Sequence, residues 1–204
     1  DVGKVNKKIQ KLEEEERVKE EAADNRSVSE KFSDCLILGD SITQGLYEYG
    51  VLDEANVQAD RGTEVSEVSS KKIVEHIKKA KEMKPEVLFV AYGMNDIEAQ
   101  NGNASGFVKA YKNVIEDLKE SLPDTKIYVN CILPAAQSAI ETRPLFANVP
   151  KFNQKLKKLC KKEKVTFIDN TDLVKQEYYA DDGIHMSPSY YTKWVDHMAE
   201  AAGL

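Results

Sequence analysis

The sequence predicts an α/β domain, a mainly parallel sheet with helices on both faces. Three observations lead there. Short apolar runs alternate with longer stretches whose apolar residues recur at helical spacing. The run Val87-Leu88-Phe89-Val90-Ala91 is apolar throughout, the pattern of a strand buried on both faces. The runs end in small polar residues, as in Gly39-Asp40-Ser41 and Gly93-Met94-Asn95, at the edge where open α/β sheets place their ligands.

Taken in order, residues 4–23 are dense in Lys and Glu, with apolar positions only at Val5, Ile9, Leu12 and Val18 among few others. This reads as a salt-bridged helix with a thin apolar stripe, a solvated arm outside the core. Residues 24–33 are polar and read as a linker. The boundary is set near Phe32, giving a charged arm over 1–31 and one domain over 32–204. Strands are predicted at 35–39, 56–59, 87–91, 126–132 and 165–168. Helices are predicted at 65–83, where Val65, Val68, Ile73, Ile77 and Ala80 share a face and Pro85 stops the run, and at 104–122, 152–162 and 189–202. A helical turn begins at Ser41. Residues 133–149, with Pro134 and Pro144 and followed by Pro150, read as a long irregular loop.

At 204 residues the chain is long enough for one sizeable core. The formal charge of -6, with acidic residues interleaved among the lysines, argues against a nucleic-acid partner. Cys35, Cys131 and Cys160 lack metal-binding or redox spacing and read as buried free thiols. No apolar run approaches the ~18 residues of a membrane span. The chain starts at Asp1 without Met, so a leader or anchor could have been removed upstream. The arm would then space an outward-facing domain from a membrane; without an anchor the compartment would be cytoplasmic.

The turns after successive strands carry the chemistry: Asp40-Ser41, then Asp60-Arg61-Gly62-Thr63, then Gly93-Met94-Asn95-Asp96, and finally Asp182-Gly183-Ile184-His185. Acyl transfer has a task for each. Ser41 is the candidate nucleophile, near the positive end of a helix, and His185 its candidate base. Asp182, three residues earlier, would hold the imidazole in the right tautomer. The Ser41 and Gly62 N–H groups and the Asn95 amide are candidate oxyanion donors. His76 and His197 lie on amphipathic helices and read as surface or packing residues. Each motif alone is common; their order along successive strand ends makes chance convergence small.

At these residues the chain resembles the SGNH hydrolases, the GDSL esterase/lipase superfamily, over roughly residues 32–204. Gly39-Asp40-Ser41-Ile42-Thr43 matches the first block, Gly93-Met94-Asn95-Asp96 the third and Asp182-Gly183-Ile184-His185 the last. The second block departs from the pattern: Asp60 stands where an Asn often precedes the Arg-Gly pair. The resemblance implies a flavodoxin-like α/β/α sandwich with five parallel strands. It also implies a cofactor-free, metal-free Ser-His-Asp mechanism, and ester hydrolysis, often deacetylation of carbohydrates or cleavage of lipid or thioester acyl groups. An α/β-hydrolase is a poorer match, since that fold expects G-x-S-x-G.

Three other readings stay beside this one. Asp40, Asn95, Asp96, Asp182 and His185 could cluster around a hard cation. A lysophospholipase or thioesterase of the same family would share the motifs. A binding module could keep the fold without turnover. Tyr47 and Tyr49 are expected to form one wall of the cleft and the 133–149 loop another, with Tyr47, Arg143 and Phe146 as substrate contacts. No long apolar lid is evident, which points to a small acyl group such as acetyl on a glycan or small-molecule ester. The oligomeric state is not legible.

Overall fold

A computed structural model describes Lys11, residues 24–66 and residues 71–204. The helix predicted over 4–23 lies, apart from Lys11, outside the described residues. Five strands, β1 (Cys35–Gly39), β2 (Val57–Ala59), β3 (Val87–Ala91), β4 (Lys126–Asn130) and β5 (Thr166–Ile168), form one parallel sheet in the order β2-β1-β3-β4-β5. The five-stranded parallel sheet is therefore as predicted. All of β1 is buried, and Leu36, Ile37 and Leu38 are wholly so. Burying such side chains contributes roughly 1.5–3 kcal/mol each.

The helices are α1 (Val28–Lys31), α2 (Ser41–Glu48), α3 (Lys71–Met83), α4 (Met94–Ala99), α5 (Ala104–Ser121), α6 (Gln137–Thr142), α7 (Val149–Glu163) and α8 (Pro188–Ala202). One layer is formed by α3 on α5 and α5 on α7; α1 and α2 pack on α8 in the other. Strand order reverses at β1, which sits between β2 and β3. Gly39 and Ala91 are paired in register, so the turns following β1 and β3 leave the sheet side by side. That reversal point opens the crevice in which folds of this type bind ligands.

Local chemistry explains where the elements differ from expectation. The 24–33 linker contains α1, closed by a capping box in which Ser27 Oγ accepts the Glu30 N–H and the Glu30 carboxylate accepts the Ser27 N–H at 2.7 Å. The 133–149 stretch is irregular only to Ala136: α6 and a 3₁₀ turn at Pro144–Asn148 occupy most of the rest. Helix α7 starts at Val149, with Pro150 in its first turn, where a missing N–H costs nothing. Val65 is buried but occupies a bend, and the described helix after it begins at Lys71.

Behind the sheet, Asn130 Oδ1 accepts from both Trp194 Nε1 (3.0 Å) and Asn170 Nδ2 (2.9 Å). Asn170 Oδ1 in turn lies 2.9 Å from His197 Nδ1. This buried network fixes α8 against β4 and the segment after β5. The three cysteines are free and buried, and burial pushes each thiol up to about 12.

Candidate active site

Asp40 caps α2, its Oδ1 accepting the Ile42 N–H at 3.0 Å, and Ser41 is therefore the first helical residue. Gly39 and Gly45 permit that placement sterically. A Cβ on Gly39 would lie 1.9 Å from Thr43 Oγ1, and one on Gly45 2.2 Å from the Tyr191 ring. The Tyr191 hydroxyl donates to the Ile42 carbonyl at 2.9 Å, pinning α2 to the last helix.

His185 arrives on a loop held by the Ala180 N–H to its carbonyl (2.8 Å) and an antiparallel bridge between Tyr179 and Met186. Its Nε2 lies 2.9 Å from Ser41 Oγ, across 144 residues of sequence. Its Nδ1 lies 2.5 Å from Asp182 Oδ2. The other Asp182 oxygen accepts the Ile184 and His185 N–H groups, each at 2.9 Å. Partial burial pushes the Asp182 carboxyl up, but the His185 bond and the two amides outweigh it and hold it below its ordinary value. A carboxylate accepts only, so Nδ1 carries the proton and Nε2 is left to accept from the serine hydroxyl.

The expected anion donors sit at neighbouring turns. Gly62 occupies the left-handed region at φ 71°, and neither its N–H nor that of Ser41 has a hydrogen-bond partner among the described residues. Asn95 is placed differently from a free donor. Its Nδ2 donates to the Thr63 carbonyl at 3.2 Å and contacts Asp40 Oδ2 at 3.5 Å, the weaker contact. Asp96, fully buried, accepts the Val65 and Ser66 N–H groups at 3.2 and 2.8 Å, tying the third turn to the second. Burial pushes Asp96 up and Asp40 up to about 7, against the amides each accepts. No group of three or more His, Cys, Asp or Glu side chains among the described residues is arranged to hold a metal ion.

A cleft of about 410 Å³ runs past Ser41, His185 and Asp182, walled by Glu48, Tyr49, Arg61, Met186 and Tyr191. The substrate contacts expected from sequence are elsewhere. Phe146 is 2% exposed, part of the core, because its segment is helical and turns the ring inward. Arg143 stacks over that ring at 4.5 Å and forms a forked ion pair with Glu98, Nε to Oε1 at 2.9 Å. Tyr47 is half-buried, its hydroxyl accepting from Gln44 at 3.2 Å, and it is Tyr49 that faces the cleft. Arg61, in the second block, is a cleft residue to which the sequence reading assigns no role. His76, read as a surface or packing residue, is wholly buried and doubly hydrogen-bonded.

Compared with known families, residues 37–193 match the GDSL-like lipase/acylhydrolase family, more than three quarters of the chain. The chain belongs to this family. By family it is an ester hydrolase. No curated protein matches the sequence. Among solved structures, a GDSL-like lipase from Bacteroides thetaiotaomicron superposes with a TM-score of 0.65 at 15% identity, covering 93% of this chain and 96% of its own. A carbohydrate esterase family 3 protein from Talaromyces cellulolyticus gives 0.64 at 16%, with 82% and 95% covered. An acetyl xylan esterase gives 0.61 at 19%, with 81% and 98% covered. At such identities the likeness is one of fold.

Proposed function

We propose that this ester hydrolase works by a metal-independent Ser-His-Asp mechanism, and that its substrate is a small acyl group, acetyl foremost, esterified to a carbohydrate. The observation that carries the mechanism is the continuous chain from Ser41 Oγ through His185 to Asp182, at 2.9 and 2.5 Å. In the first step His185 Nε2 takes the serine proton as Oγ bonds to the ester carbonyl carbon. Asp182 stabilises the imidazolium that results. The carbonyl oxygen, now negative, is received by the Ser41 and Gly62 N–H groups and by Asn95, whose amide gives up its long contact with Asp40. His185 then protonates the departing alkoxide, leaving an acyl-serine. A water deprotonated by the same imidazole releases the acid.

The acyl and alcohol preferences rest on the cleft. Its walls offer Glu48 and Arg61 beside the Tyr49 and Tyr191 rings, a polar and aromatic lining suited to a sugar. The carbohydrate and acetyl xylan esterases among the structural neighbours support the same class. The division at Phe32 belongs to this proposal, the domain over 32–204 holding every residue with a role.

The test is hydrolysis of acetylated glycans and p-nitrophenyl acetate against longer-chain esters, with and without EDTA. Acetyl esters turned over fastest, with no change on chelation, is the expected result. Preference for long acyl chains contradicts the substrate assignment, and inhibition by EDTA contradicts the metal-free mechanism.

A further inference from the structure

A second hydroxyl–histidine–carboxylate chain runs from a buried phenol to a part-exposed carboxylate, outside the cleft. His76, on α3, is fully buried. Its Nε2 lies 2.8 Å from Asp60 Oδ2 and its Nδ1 2.6 Å from the Tyr92 hydroxyl. Asp60 can only accept, so Nε2 carries the proton, and Nδ1 accepts from the phenol. Neutral imidazole satisfies every group in the chain. Burial pushes the His76 pKa down, against the pull of Asp60, which favours that neutral form.

The two ends of this chain are informative. Tyr92 directly follows β3 and directly precedes the Gly93–Asp96 turn. Asp60 directly follows β2 and opens the turn at 60–63. Within that turn the Asp60 carbonyl accepts the Thr63 N–H at 3.2 Å and the Thr63 hydroxyl at 2.8 Å. The Thr63 carbonyl accepts from Asn95, and the Arg61 carbonyl from Lys72, on α3 like His76. The turn is thus anchored at both ends and its middle, leaving the Arg61 and Gly62 N–H groups without a partner among the described residues. An anchored turn with spare donors is what an anion site needs, since a misplacement of about 1 Å can cost roughly 10²-fold in rate.

We infer that His76 is a positioning residue for the candidate oxyanion turn, acting through Asp60 and braced by Tyr92. The inference rests on the esterase reading above, in which Gly62 supplies a donor. His76 touches no reacting atom; it sets where the Gly62 N–H points.

The experiment compares H76L, D60A and D60N by p-nitrophenyl acetate kinetics, normalised to the titrated Ser41 content. Amide hydrogen exchange across residues 60–63 is followed alongside. H76L and D60A should lower kcat by roughly ten- to a hundredfold with KM within about twofold, and speed exchange in the turn. D60N keeps an acceptor oxygen for Nε2–H and should recover most of that loss. A folded H76L with wild-type kcat overturns the inference, whatever its exchange. So does an equal loss in D60N and D60A, since the hydrogen bond would then not be what matters. Should H76L fail to fold, Y92F and D60A carry the comparison. If wild type and S41A are equally inactive, the esterase reading fails first. Exchange alone then judges the anchor, and unchanged exchange in H76L overturns it.

Discussion

The molecule contains two histidines strung between a hydroxyl and an aspartate, and they are opposites. His185 protonates Nδ1 toward Asp182 and offers Nε2 to Ser41; His76 protonates Nε2 toward Asp60 and offers Nδ1 to Tyr92. The His185 side chain is 44% exposed and beside a cleft, whereas that of His76 is 0% exposed and closed off. The same three functional groups thus do different work. In the proposed mechanism, the imidazole beside the hydroxyl that a substrate can reach moves a proton. Under the inferred positioning role, where the phenol is buried the proton stays and the chain acts as a strut.

Measurements can break this comparison or refine it. The widest gap should appear in kcat: S41A and H185A should each lose roughly 10⁴- to 10⁶-fold on an acetyl ester. Their melting temperatures should stay near wild type. Activity retained in S41A would erase the distinction between the two chains. N95A should lose roughly 10²–10³-fold in kcat with little change in KM, because its donor acts in the transition state; a pure KM effect would remove Asn95 from the anion site. Stability should reverse the order. H76A leaves a cavity and an unpaired buried phenol, costing about 2–4 kcal/mol in urea unfolding, whereas H185A should cost under about 1 kcal/mol. Equal costs would mean that the two imidazoles are equally structural.

The smallest effect concerns carboxylates. Asp182 is held below its ordinary value, but Asp40 is pushed up to about 7, burial being the main cause. Between about pH 4 and 7 the native protein therefore keeps a proton on Asp40 that the unfolded chain has released. That contribution to stability is complete in acid and lost as pH rises through about 7. The amide of D40N preserves the helix cap and cannot titrate. The melting temperature of wild type relative to D40N should fall across that window; a constant difference would show that Asp40 titrates normally.

Much of the fold was legible because its signals are local. Continuous apolar runs such as 87–91 have no stable place except a sheet covered on both faces, and the alternation of elements makes that sheet parallel. The turns at Ser41, Asn95 and His185 could be placed at one edge for the same reason. Periodicity says which face of a helix is buried, not what a polar residue on that face touches. His76 therefore read as packing, although its partners come from two other strand ends. Phe146 read as a cleft wall because prolines on either side suggested a loop. Pro144 and Pro150 instead begin helical turns, and the ring points inward. The Ser27–Glu30 capping box lies within a polar stretch, which is why composition alone reads that segment as a linker.

The bond from the Tyr191 hydroxyl to the Ile42 carbonyl has a consequence in time. Ribosomes deliver the N-terminal part of a domain first. A chain stalled before residue 185 carries Ser41 with no imidazole beside it, and with no final helix to brace the segment that presents it. Under the proposed Ser-His-Asp mechanism, hydrolytic competence is thus withheld from every nascent fragment until translation of the domain is nearly complete.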